Sequence, residues 1–174
     1  MAYESIIVST TAPVDELRRV LLDRQVVGAW PCFDRPRSSD GATTTWATSS
    51  PLSRAFPTRG TWDVEHRILR DDAERPEVSL GCTSGRSAVQ LTAEVWTLSP
   101  EVRLVRVGVR HGSAGRLRYT PRKLRKVSQD FGKAVAAAAG GEVLERVGIE
   151  TVQRLGILGP PDGAGSVEDD EGAW

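Results

Sequence analysis

The sequence predicts an α+β fold in which an antiparallel sheet is followed by one long C-terminal helix. Three observations carry this. Between Thr61 and His111, runs of apolar residues alternate with polar ones, the period-two signature of half-buried strands. Turn residues such as Asp71-Asp72 and Ser99-Pro100 separate the runs, which favours an antiparallel meander over a parallel sheet. From Pro121 onward the apolar period changes to steps of three and four, the signature of an amphipathic helix.

Each element follows from its own residues. Glu4 to Thr10 is short and β-branched and reads as a strand. Pro13, Asp15 and Glu16 then open a helix from Pro13 to Asp23, with acids where they complement the positive end of the helix dipole. Val26, Val27 and Trp30 suggest one more helical turn, stopped by Pro31. Residues 31–60 are rich in proline, serine, arginine and glycine and read as loop, with Thr43 to Thr48 as the one strand candidate.

The meander follows. Trp62, Val64, His66 and Ile68 share one face, opposite Asp63, Glu65 and Arg67. Val78, Leu80 and Cys82 line the next strand, and Gly81, Gly85 and their serines read as a turn. Val89, Leu91, Ala93 and Val95 line another, with Trp96 on the opposite face. Val105, Val107, Val109 and His111 line the last, opposite Arg106 and Arg110. Residues 121–139 would form a helix about 28 Å long, ended by Gly140-Gly141. Glu142 to Leu155 carries Val143, Leu144, Val147, Val152 and Leu155 and reads as a second helical segment.

Composition bounds the function. A chain of 174 residues fits one domain, here residues 1–158 with a loop-rich insertion at 32–60. Residues 159–174, ending in the acidic run Glu168 to Glu171, read as a flexible tail. Lys plus Arg and Asp plus Glu are both 23, so a whole-chain polycation is excluded. No apolar run reaches the roughly 18 residues of a membrane span. The first residues lack the pattern of a signal peptide, and Cys32 and Cys82 form no CxxC pair. A cytoplasmic location, no metal and no cofactor are the expectations.

The order strand, helix, short helix, meander and long helix resembles the helix-grip fold of the START-like superfamily (SRPBCC), which includes polyketide cyclase and dehydratase-like proteins. The run Ile6-Ile7-Val8-Ser9-Thr10 leading into Thr11-Ala12-Pro13-Val14-Asp15-Glu16-Leu17 carries the resemblance, with Trp30 behind the first helices. It implies a curved antiparallel sheet wrapped around the helix from Pro121, with a mainly apolar cavity between them. It also implies a small apolar or amphipathic ligand, with cyclase- or dehydratase-type catalysis left open. Six strands are legible in the sequence where such folds usually have seven.

On this reading the inner sheet face is the site. Trp30, Trp46, Trp62 and Phe131 would supply aromatic walls, with ordinary core filling as the equal alternative. His66 and His111 fall in phase with apolar neighbours and could act as acids or bases, although a bonded core histidine is the commoner outcome. Cys82 shares the inward phase but has no basic neighbour to lower its pKa. The second reading is an interaction module for nucleic acid or an acidic protein. Residues 103–133 hold ten basic side chains against Asp130 alone. Arg116, Arg118, Arg122, Lys123, Arg125 and Lys126 would carry that contact. Arginine is enriched throughout, so it is weak evidence of phosphate binding, but Lys123, Lys126 and Lys133 are the only lysines and all lie in this block.

Overall fold

The computed structural model describes residues 2–29, 33, 36–41, 43–48, 60–84, 87–113 and 121–144. The chain runs β1 (Ala2–Thr10), α1 (Val14–Leu22), a 3-10 turn (Val26–Ala29), β2 (Pro36–Asp40) and β3 (Thr43–Thr48). It continues through β4 (Gly60–Arg70), β5 (Glu77–Ser84), β6 (Ser87–Thr97), β7 (Arg103–Ser113), α2 (Pro121–Ala138) and β8 (Val143–Leu144). The strands form one sheet of order β2-β3-β4-β5-β6-β7-β1-β8, and all neighbours are antiparallel. The sheet does not close, so β2 and β8 are its two edges.

One face of the sheet carries the core. Val64, Leu80, Leu91 and Val107 from successive strands bury against Leu17 and Leu21 of α1 and Leu124, Val127, Phe131 and Val135 of α2. The three- and four-residue steps on α2 place that apolar stripe on one side, while Arg122, Lys126 and Lys133 stay exposed. Gly132 sets how close α2 comes to the sheet. A Cβ there would lie 2.8 Å from Val8 Cγ2. At its far end α2 closes in a Schellman motif: Gly140 adopts φ +72°, its N–H donates to Ala137 O at 3.0 Å, and Gly141 N–H donates to Ala136 O at 3.0 Å.

Four sequence expectations are corrected. Pro36–Asp40 is a strand, although residues 31–60 were read as loop outside Thr43 to Thr48. All five of its residues are exposed and it lies on a sheet edge, so it carries no apolar alternation to detect and can tolerate Pro36. Gly81 sits inside β5, which continues to Ser84 before the chain turns. Ile68 is 51% exposed and does not join Trp62, Val64 and His66 in the core. β3 begins at Thr43 opposite Glu65 and so leaves the end of β4 unpaired on that side, and the β4–β5 register shifts after Ile68, so the end of β4 leaves the flat alternation.

The fourth correction concerns Val143 and Leu144, which form β8 instead of starting a helix. They pair with Thr10 and Ser9 of β1. Thr11 N–H donates to Glu142 O at 3.1 Å, Glu142 N–H to Thr11 Oγ1 at 3.0 Å, and Ser9 Oγ to Leu144 O at 2.7 Å. Backbone groups on the free edge of β1 find partners this way, and that demand outweighs a helical spacing of apolar residues. The rest of that expected helix, 145–155, and the expected tail lie outside the described residues.

Candidate functional site

The inner face holds the predicted wall residues that the structure describes. Trp46 and Trp62 are cross-strand partners on β3 and β4, and both are buried. Trp46 lies under the 3-10 turn, where a Cβ on Gly28 would stand 2.8 Å from its Cη2. Phe33 meets the Trp46 ring edge-on, with centroids 6.0 Å apart and planes at 78°. The Trp46 indole Nε1 is buried with no hydrogen-bond partner among the described residues. Phe131 of α2 belongs to the same core cluster. Trp30 and the side chain of His111 lie outside the described residues, as does Cys32.

His66 is buried on the inner face, as its phase predicts. Its Nε2 lies 2.8 Å from Leu21 O in the last turn of α1. A carbonyl only accepts, so Nε2 carries the proton and donates. That bond serves one of the carbonyls left over at the helix C-terminus. The hydrogen-bond partner of His66 therefore belongs to α1. Cys82 is fully buried, and burial pushes its thiol up to about 12. At neutral pH it is a protonated, small apolar side chain.

The basic block is divided by the sheet. Arg106 lies on the outer face, where its Nη1 meets Glu94 Oε1 at 2.9 Å and its Nε donates to Ser5 Oγ at 3.3 Å. Arg75 reaches the other Glu94 oxygen at 3.1 Å and stacks 3.4 Å from the Trp96 ring centroid. Glu77 nearby is held above its ordinary value, first by burial and then by the Glu94 charge. The helix part of the block is on the opposite side of the sheet. Arg122 and Arg125 are exposed there, and Lys126 pairs with Asp130 at 3.3 Å. Arg116, Arg118 and the Lys123 side chain lie outside the described residues.

Sequence reasoning missed the Arg75–Glu94–Arg106 cluster, which depends on strand register. The available signal was a Glu and an Arg on the outward phases of adjacent strands. Among the described residues no three His, Cys, Asp or Glu side chains gather as a metal site. None of the described helices is long and apolar enough to cross a membrane.

No protein-family model matches the chain, and no curated protein sequence is significantly similar to it. Solved structures are similar in fold. A START superfamily protein from Mycobacterium smegmatis superposes with a TM-score of 0.60 at 11% identity, over 79% of this chain and 97% of that one. The Zhui aromatase/cyclase from Streptomyces sp. R1128 gives 0.54 at 14% identity, over 88% and 95%. The protein XoxI from Bacillus cereus gives 0.55 at 10% identity, over 80% and 93%. The open antiparallel sheet, the position of α2 on its inner face and these superpositions agree: the chain has the helix-grip fold of START superfamily proteins.

Proposed function

We propose that the chain binds a small apolar or amphipathic molecule between the inner sheet face and α2. The observation that carries this reading is the Trp46 indole N–H, buried without a partner among the described residues in an aromatic, apolar wall. An unpaired buried donor costs about 1–3 kcal/mol, and a ligand acceptor would relieve it. Such sites are mostly apolar with a few fixed polar groups, and Trp46, Trp62, Phe33 and Phe131 belong to one buried apolar cluster.

Ligand entry is at the end of the sheet where Thr48, Gly60, Ser84, Ser87 and Ser113 stand together by register. The opposite end is fastened, because a Cβ on Gly141 would meet the Ala12 backbone at 2.4 Å. The wall residues are closed on one another, so binding requires the entry half of α2, with Leu124 and Val127, to yield.

The proposal is binding without turnover. The one described inner-face imidazole is committed to Leu21 O, and the Cys82 thiol is protonated. Amide-resolved NMR titration with a panel of aromatic and aliphatic amphiphiles tests it. Saturable shifts at Trp46, Trp62 and Val127, weakened in Trp46→Phe, support the reading. Shifts confined to surface residues for every compound overturn it.

A further inference from the structure

A second recess lies outside the sheet–helix interior, between the end of α1 and the β2–β3 hairpin. It is an open groove of about 580 Å³. Leu22 and Pro36 give it apolar walls, and Asp23, Arg24, Arg37, Ser38, Ser39 and Thr44 give it a polar lining. That volume lies within the range of small-molecule sites.

Two independent features aim the cations. The β2–β3 register shifts between Pro36 and Ser38, which leaves Arg37 as the extra residue of a β-bulge. A bulge breaks strict alternation and re-aims a side chain, so consecutive residues of β2 line the same groove. Arg24 is tethered from the other wall, where its Nη1 donates to Gly41 O at 2.6 Å. Gly41 sits at φ +55°, the tight turn that presents this carbonyl.

Arg24 and Arg37 differ in charge balance from six arginines elsewhere in the fold. Arg18, Arg19, Arg67, Arg70, Arg75 and Arg106 each face a carboxylate within salt-bridge distance. Arg24 and Arg37 have no carboxylate partner among the described residues. The groove also holds the Asp23 carboxylate, whose Oδ1 accepts the Gln25 N–H at 2.8 Å and which keeps its negative charge. The groove therefore presents two guanidinium groups against one carboxylate, beside the Ser38 hydroxyl and the mutually paired Ser39 and Thr44 hydroxyls, a donor set with a net positive charge that suits an oxyanion.

We infer that this groove binds the oxyanion of a small molecule, a phosphate or a carboxylate, with Arg37 as the main contact and Arg24 as the fixed second cation. This goes beyond the interior site and does not depend on it, since Arg37 is exposed and has no place in the core.

The test is amide-resolved titration of the full chain with inorganic phosphate in one arm and octanoate in the other, at constant ionic strength. The expected result is saturable shifts at Ser38, Ser39, Gly41 and Thr44. Arg37→Ala should weaken them by about tenfold, the scale of a lost charge-assisted hydrogen bond. Arg37→Lys, which keeps the charge but not the fork, should recover only part. Arg122→Ala on α2 serves as the control and should change nothing. Saturation by phosphate alone identifies a free oxyanion as the source, and saturation by octanoate as well identifies the head of an amphiphile. Failure of both probes to saturate, or equal effects of Arg37→Ala and Arg122→Ala, overturns the inference. Either failure leaves the interior shifts, scored at Trp46 and Val127, to be judged separately.

Discussion

Replacing His66 with Phe separates a structural imidazole from a reactive one. The donor is buried and its bond to Leu21 O is 2.8 Å long. Phe keeps the planar ring but has no N–H. The Leu21 carbonyl, in the last turn of α1, then loses its side-chain donor. A buried acceptor left unmade costs about 1–3 kcal/mol. Extra apolar burial of the phenyl ring offsets up to about 1 kcal/mol. The net loss should be about 1–2 kcal/mol, which lowers Tm by about 2–8 °C for a chain of this size.

Urea unfolding followed by circular dichroism measures the loss. Interior binding is read in parallel from the Trp46 and Trp62 shifts. His66→Gln, which restores an N–H donor, should recover part of the stability. A Phe variant as stable as the parent but unable to bind would refute the reasoning, because His66 would then act on the ligand and not on α1.

Glu94→Ala leaves Arg106 buried beside no carboxylate and should cost about 3–5 kcal/mol in urea unfolding; replacing Glu94 and Arg106 together with apolar residues should restore much of it. Gly132→Ala drives a methyl into Val8 and should cost about 1–3 kcal/mol, with Val8→Ala on the same chain recovering part of the loss. Glu77 is held above its ordinary value, so it binds its proton more tightly folded than unfolded. Its charged form therefore weakens the fold at neutral pH, and that penalty fades as pH falls through the raised value to the ordinary one. Glu77→Gln should be the more stable chain at pH 7 and lose its advantage at low pH; an advantage that grows on acidification would show the sign to be wrong.

The fold was legible where burial imposed a period. β4, β5, β6 and β7 have one covered face each, so Val64, Leu80, Leu91 and Val107 mark the inner side in the sequence itself. α2 was legible for the same reason, and its end was legible because only glycine settles readily at the φ of Gly140. β2 and β8 were not. β2 has no buried face, and β8 is two residues long, held by hydrogen bonds to Ser9, Thr10 and Thr11 that no local pattern announces. Edges of a sheet are decided by which backbone groups lack partners, and that is a property of the assembled sheet.

The same limit governs the site. Phase placed Trp62, His66 and Cys82 on one interior face, because alternation fixes a side. It could not fix the imidazole's partner, since Leu21 lies 45 residues earlier in the chain. Arginine is the sharper case. The sequence is so rich in arginine that no single guanidinium stands out, and the densest stretch, residues 103–133, was the natural place to look for an anion. The structure divides that stretch between the two sides of the sheet. Arg106 within the stretch is neutralised by Glu94, and its helical members lie across the sheet from it. Arg37, in a segment that reads as loop, has no carboxylate partner among the described residues, and a bulge turns it toward a groove. What identifies a cation as available is the absence of a counter-charge within reach, and that absence becomes visible only once distant residues have been brought side by side.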